Sequence, residues 1–299
     1  MVRLKSLMAQ ILKKILCAVA LIAMQPYCLA DDWVDVQNMS PVPGENRSDA
    51  GAEYRRADAP SQPKKNQPGS KVLLEGGVEH TQTLPPVQSS LRPGSLFNVN
   101  AFKATKPVNK WYLLPDWIAG TWDIPGYTQY SIHDYRTGKT NDIWRTVSQY
   151  STEQIGMQTD KLGQAWYFPC VPYVVRHYEN HIYDEQVIEQ KEVLEVGQSR
   201  VVINYFSMDI QVDRSTGRVV HTDRVETLRV FTPQRHNFIR CDASQKTFDE
   251  DGKPVALERR VHFSTRISGF RPQARCNGES LRNMFREYLM ENNLKHLIP

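Results

Sequence analysis

The sequence lacks a surplus of positive charge once its first thirty residues are set aside. Those residues contain four basic side chains, Arg3, Lys5, Lys13 and Lys14, and no acidic one. Of the 37 basic residues in the 299-residue chain, 33 remain, and 33 acidic residues balance them. Because a general nucleic-acid binder uses excess positive charge to displace counterions from phosphates, this balance argues against nucleic acid as a partner.

Beyond residue 30 the chain also lacks any run of about 18 apolar residues, which excludes a later membrane-spanning helix. Residues 1–30 combine a basic start, the apolar run Ile15–Met24, and small residues just before Asp31. That run is too short to cross about 30 Å of hydrocarbon as a mature anchor. The sequence therefore predicts a cleaved secretory signal peptide over 1–30, no membrane span after its cleavage, and a periplasmic protein exported through the general secretory route. An uncleaved anchor is the alternative.

Recognisable catalytic motifs are missing as well. No nucleophile elbow and no glycine-rich phosphate loop occur, so the sequence predicts no catalytic residue and no cofactor. One cluster could bind zinc: His177, Glu179 and His181 would share a face of a strand and leave one metal position open for water. Glu179-Asn180 is also a turn signal, and the alternative is therefore a polar hairpin tip with exposed histidines.

Cysteines are few after the signal peptide, namely Cys170, Cys241 and Cys276. Their odd number in an oxidising compartment indicates one disulfide and one free thiol. We predict a bridge between Cys241 and Cys276, which would close a loop of about 35 residues and contribute about 3 to 4 kcal/mol. Cys170, between two prolines, is then expected to be a free, buried thiol.

Apolar and aromatic residues are scarce between residues 31 and 109. This stretch holds nine prolines and six glycines but only four aromatic residues. Such a composition cannot bury enough apolar surface to offset its ordering entropy, so we predict a disordered proline-rich arm. Short apolar islands within residues 72–102 either pack on the protein's own folded domain or dock on an envelope-protein partner.

From Lys110 onward the chain reads as strands separated by turns. Five glycine-containing turn signals occur, at residues 136–141, 160–163, 195–198, 214–217 and 249–252. Apolar and polar residues alternate between them, as at Val261, Phe263, Thr265 and Ile267 against Arg260, His262, Ser264 and Arg266. We count eight or nine strands between Gly120 and Phe270. Hairpin-sized connections predict an antiparallel, all-β barrel over residues 110–275.

A single helix is predicted at the C-terminus, within residues 276–299. Five apolar residues there follow the spacing of one helical stripe: Leu281, Met284, Phe285, Tyr288 and Leu289. We expect this stripe to pack on the outside of the barrel. A partner-binding face is the alternative.

The segment Gly120-Thr121-Trp122 resembles the Gly-x-Trp signature that opens the first strand of lipocalins and the wider calycin group. The resemblance implies a tryptophan, here Trp122, that closes one end of the barrel and an arginine from the end of the last strand that covers it. Arg266, Arg271 and Arg275 lie in a suitable place before the C-terminal helix, and we predict Arg266 or Arg271 as that arginine. It also implies binding of a small apolar molecule inside the barrel, or else a packed interior with binding on the surface.

Aromatic residues are concentrated between residues 111 and 183, where they either fill the barrel or line a ligand cavity. Trp144, Trp166 and Tyr173 are the candidates for such a cavity. Three functions remain open from the sequence. The first is non-enzymatic binding of a small apolar ligand, and the second is an accessory or scaffolding subunit of an envelope complex, such as a secretion or conjugation apparatus. The third is an isomerase or hydrolase in the barrel mouth.

Overall fold

The computed structural model describes residues 79–98, 102, 108–179 and 181–299 of the chain. The predicted signal peptide and the predicted arm up to residue 78 lie outside these ranges. Within them, no helix has both the length and the apolar character needed to cross a membrane.

Eight antiparallel strands form the main sheet, which confirms the predicted all-β class; two further short strands between Gly120 and Phe270 belong to a second sheet. The strands in chain order are β1 Tyr112–Leu113, β2 Gly120–Asp134, β3 Lys139–Ile155, β4 Gln158–Thr159, β5 Ala165–Tyr167, β6 Tyr173–Glu179, β7 Ile182–Val196, β8 Val201–Asp213, β9 Val219–Arg235, β10 Phe238–Phe248, β11 Pro254–Ser268, β12 Arg275–Cys276 and β13 Glu279–Ser280. The main sheet has the order β3-β2-β11-β10-β9-β8-β7-β6. Each of the five predicted turns connects two consecutive strands.

The main sheet is strongly curled. Arg229 on β9 and Glu153 on β3 are four strands apart, which in a flat sheet would separate them by about 19 Å. Their side chains nevertheless meet, with guanidinium-to-carboxylate distances of 2.7 and 2.8 Å. The sheet is a half-barrel and not the closed barrel that we predicted, because its two outer strands, β3 and β6, do not pair with each other within the described residues.

A helix and a small sheet cover one end of the half-barrel. Helix α1, Leu281–Glu291, begins at the N-cap Ser280 and buries the apolar stripe that predicted it. Its Phe285 ring lies 4.7 Å from the ring of Trp111 and 5.5 Å from that of Trp166, which belongs to the sheet β1-β5-β4. The helix shares this core with residues of the concave face of the main sheet, including Phe231, and not with the outer face that we expected.

The disulfide joins Cys170 to Cys276, across 106 residues of sequence. The predicted Cys241–Cys276 bridge is therefore wrong, and Cys170 is not free. Cys276 lies on β12, just before the helix, and Cys170 is buried in the same apolar core as the helix residues Leu281 and Phe285. Cys241 lies on β10 as a buried free thiol, whose pKa burial raises to about 11.

Residues 80–97, which we call the N-terminal strap, pack on the outer face of β8, β9 and β10. Val87 and Leu91 of the strap form a second apolar core with residues of the sheet such as Ile210. Buried polar contacts hold it too: Glu226 accepts a hydrogen bond from the Thr81 backbone at 2.7 Å and contacts the His80 ring at 3.1 Å. This part of the predicted arm packs on the protein's own domain, which is one of the two alternatives for its apolar islands.

Candidate functional site

The part of the concave face that β11 forms is polar. On β11 the residues Glu258, Arg260 and His262 face inward, on the same side as Arg229 and Glu153. Phe263 and Ile267, on the opposite side of the same strand, are 40% and 55% exposed. A sheet with one buried face usually turns its apolar residues inward. On β11 the polar residues face inward and the apolar residues face outward. The concave face is therefore the candidate for a functional site.

An ion pair crosses this face. Arg229 is 2% exposed and donates from both Nη atoms to the two carboxylate oxygens of Glu153. Burial alone would raise the pKa of Glu153, but the Arg229 guanidinium holds it below its ordinary value. Such two-point pairing fixes orientation as well as charge, so it neutralises Arg229 within the concave face.

At the end of the half-barrel the structure brings Gly120, Trp122 and Arg266 together. The Arg266 guanidinium lies 4.9 Å from the centre of the Trp122 ring and donates to the backbone oxygens of Asp116 and Trp117, each at 2.7 Å. A Cβ atom on Gly120 would lie 3.0 Å from the Arg266 side chain. The absence of a side chain at Gly120 therefore leaves room for the arginine.

Arg271 does not share this position. It lies exposed beyond the end of β11, where its backbone N–H donates to the Gln154 side chain at 3.0 Å. Of the candidate arginines, Arg266 is the one that lies over the Trp122 ring.

A small cavity of about 60 Å³ opens on the concave face. Side chains from six strands line it, and those with polar groups include Tyr127, Tyr205, Thr227, Arg229, Arg260 and His262. No Asp or Glu is among the described residues of the lining. The walls formed by β8 and β9 are buried, whereas Tyr127, Gln149 and Ser151 on β2 and β3 are half-buried. The cavity is therefore cationic in character and reaches solvent on its β2–β3 side.

The polar groups of the cavity are incompletely satisfied. The Nε atom of Arg260, the Nε2 atom of His262 and the Oγ1 atom of Thr227 are buried without a hydrogen-bond partner among the described residues. Burial, together with the positive charge of Arg229, lowers the pKa of His262 to about 3, so its ring is neutral at physiological pH. Buried polar atoms are normally paired, and each exception calls for an explanation.

The three aromatic residues predicted to bind a ligand lie apart, and none of them lines this cavity. Trp144 is 60% exposed at a bulge of β3, with a φ of 44° and its ring 5.9 Å from that of Tyr130. Trp166 is buried under the helix, and its Nε1 atom donates to Asp160 at 2.9 Å. Tyr173 begins β6 on the concave side, where burial raises its pKa.

The predicted zinc ligands do not share a strand face. His177 lies on β6, but β6 ends at Glu179, and His181 follows in the exposed turn. The His181 backbone oxygen accepts a hydrogen bond from the Arg214 backbone at 2.9 Å. In the described part of the chain, no group of three or more His, Cys, Asp or Glu residues could hold a metal ion. The segment joins β6 to β7 as a hairpin, with His181 exposed and His177 half-buried, and the side chain of Glu179 lies outside the described residues.

Glu153, Arg229, Arg260 and His262 were not among the site residues predicted from the sequence. The signal for two of them was present, because Arg260 and His262 occupy alternate positions that place both side chains on one face of a strand. A comparison of the chain with protein-family models, with curated proteins and with solved structures finds no match in any of the three.

Proposed function

We propose that this chain is an exported, lipocalin-like binding protein that holds a small molecule on the concave face of its half-barrel. One observation supports the lipocalin-like architecture, namely the Arg266 guanidinium over the Trp122 ring. Export is supported by the character of residues 1–30 and by the Cys170–Cys276 disulfide, since disulfides persist in oxidising compartments.

The proposal of ligand binding depends on the cavity. Its volume of about 60 Å³ corresponds to about four to six water-sized spheres. Pockets for larger apolar ligands usually have about 300 to 1,000 Å³ and mostly apolar walls. The ligand that we propose is therefore small and polar, or is the polar end of a longer molecule, in place of the apolar ligand that the resemblance implies.

Native mass spectrometry of the purified, exported protein tests this proposal. We expect a bound molecule of low mass, which is lost when the protein is unfolded and refolded with its disulfide intact. Refolded protein should melt at a lower temperature, and a small-molecule extract of the source cells should restore the original melting temperature. Absence of an adduct, together with an unchanged melting temperature, would contradict ligand binding. N-terminal sequencing of the protein from the periplasmic fraction should begin at Asp31.

The hypothesis of an envelope-complex subunit stays a prediction. The N-terminal strap packs on this protein's own sheet, so it offers no free docking segment over residues 80–97 apart from exposed side chains such as Leu96. The geometry of the concave face favours ligand binding as the first function to test.

A further inference from the structure

Arg260 is a buried cation without an anionic partner. It is 9% exposed, and among the residues that the structure describes no carboxylate forms an ion pair with it. Its guanidinium lies 5.3 Å from the centre of the Tyr127 ring, which compensates part of the charge. A buried charge is costly unless it is paired and hydrogen-bonded. The site is thus incomplete without an anion.

Neighbouring acids do not supply that anion. Glu153 is already engaged by both Nη atoms of Arg229. Glu258, two residues before Arg260 on β11, accepts a hydrogen bond from Gln129 at 2.8 Å, and burial raises its pKa despite the attraction of Arg260. The positive charge of Arg260 therefore remains directed at the cavity.

Two further donors complete a binding site. The hydroxyl group of Thr227 and the Nε2 atom of His262 line the same cavity, and both are buried without a partner in the described ranges. A neutral imidazole with its proton on Nε2 donates one hydrogen bond, and a threonine hydroxyl donates another. A planar guanidinium that lines the same cavity as two such donors suits an oxyanion, to which it can donate two parallel hydrogen bonds.

From these observations we propose that the cavity binds an anionic oxygen group, namely a carboxylate, phosphate or sulfonate, through Arg260 with Thr227 and His262. This inference rests on the proposed function and names the chemical class of its ligand. The cavity accommodates a group of about four to six non-hydrogen atoms. Any remainder of the ligand would leave past Tyr127 and Gln149, where the wall is half-buried.

Calorimetric titration of the refolded, ligand-stripped protein tests the inference. The probes are inorganic phosphate, acetate and methanesulfonate, with neutral acetamide for comparison, at constant ionic strength set with sodium chloride. We expect at least one of the anions to bind and acetamide not to bind. In Arg260→Gln the dissociation constant of that anion should rise at least about tenfold, whereas Arg260→Lys should restore part of the affinity.

The matched control is Arg240→Gln. Arg240 lies on the neighbouring strand β10 with its side chain on the outer face, paired with Asp242 at 2.6 Å. Its replacement removes the same charge and should leave anion affinity unchanged. Equal weakening in both variants would overturn the inference, because it would indicate a general charge effect.

The outcome also separates the inference from the proposed function. If native mass spectrometry finds a bound molecule that is neutral and that Arg260→Gln retains, binding holds and the anion assignment fails. If no probe binds and no adduct is found, both fail. Folding of Arg260→Gln can be checked by its melting temperature without ligand, which should equal or exceed that of the parent because an unpaired buried charge has been removed.

Discussion

Arg229 and Glu153 form a two-point ion pair that joins β9 to β3 across the concave face of the half-barrel. The two strands share no backbone hydrogen bonds, because three strands of the sheet separate them. The pair therefore acts as a brace that fixes the curvature of the sheet. It also places Arg229 beside Arg260 at the cavity without adding net charge there.

Removal of one partner of this ion pair should strongly destabilise the fold. Glu153→Gln leaves Arg229 buried without a carboxylate, and we expect the free energy of unfolding to fall by about 3 to 5 kcal/mol in urea titrations. The double variant Arg229→Met/Glu153→Met removes both charges and should lose clearly less. As a control, Glu195→Gln breaks the exposed pair with Arg200 and should lower the free energy of unfolding far less. Equal losses in the single and double variants would contradict the role of pairing.

The arginine over Trp122 should stabilise the end of the half-barrel. Arg266→Met removes the cation–π contact, about 0.5 to 2 kcal/mol, and two hydrogen bonds to backbone oxygens of about 1 kcal/mol each. We expect a total loss of about 2 to 4 kcal/mol and a change in tryptophan emission. Arg271→Met, on an exposed residue, should change stability by less than about 0.5 kcal/mol. A larger loss of stability in Arg271→Met than in Arg266→Met would contradict the role of Arg266.

Asp209 should make stability depend on pH. Burial raises its pKa from 3.8 to about 6, so the folded protein holds this proton more tightly than the unfolded chain. The resulting stabilisation is complete below about pH 4 and is lost as the pH rises through about 6. Asp209→Asn should therefore raise the free energy of unfolding at pH 7.5, by an amount on the order of 2 kcal/mol, and should change it little at pH 4.

Asp213 provides a control for that measurement, because its pKa is shifted in the opposite direction. Hydrogen bonds from Ser215 and Thr216 lower its pKa to about 2. Its stabilising contribution is present above the unfolded value and is lost as the pH falls toward 2. Asp213→Asn should consequently destabilise the protein at pH 7.5. An effect of Asp209→Asn that is the same at pH 4 and pH 7.5 would contradict the assignment.

The disulfide can be verified by peptide mapping without reduction, which should recover Cys170 linked to Cys276. A loop of this size corresponds to about 4 to 5 kcal/mol in the chain-entropy model, and we expect the double variant Cys170→Ser/Cys276→Ser to lose a comparable amount. Cys241 should resist thiol-blocking reagents in the folded protein and react after unfolding. A Cys241-containing crosslinked peptide would contradict the pairing.

Attachment of the N-terminal strap depends on a glycine. Gly252 has a φ of 78°, and its backbone oxygen accepts a hydrogen bond from the Leu84 backbone at 3.0 Å. A Cβ atom on Gly252 would overlap the Leu84 backbone. Gly252→Ala should therefore release the strap, which hydrogen exchange over residues 84–97 would detect. Gly138, with a φ of 67° and open space around it, is the matched control. Equal hydrogen exchange of residues 84–97 in the two alanine variants would show that backbone strain at a positive φ, and not overlap with Leu84, explains the effect.

The strands and turns could be predicted because their signals are local. Alternation of residue type identifies a strand within a few residues, and a glycine such as Gly217, with a φ of 66°, marks the turn between two of them. The apolar stripe of the helix is equally local. These features depend on neighbours in sequence, so a single sequence is enough to predict them.

The site could not be predicted, because it depends on partners that are distant in sequence. Alternation on β11 separates Arg260 and His262 from Val261 and Phe263, but it does not say which set faces inward. The curl of the sheet decides that, and Glu153 is part of what holds the curl. The prediction of the disulfide was wrong for the same reason, since proximity in sequence favoured Cys241 over Cys170 as the partner of Cys276.

The unpaired outer strands, β3 and β6, have a consequence for exchange. If a ligand binds on the concave face as proposed, its exchange with solvent would not require a closed ring of strand pairs to open, since no backbone hydrogen bonds join these two strands in the described residues.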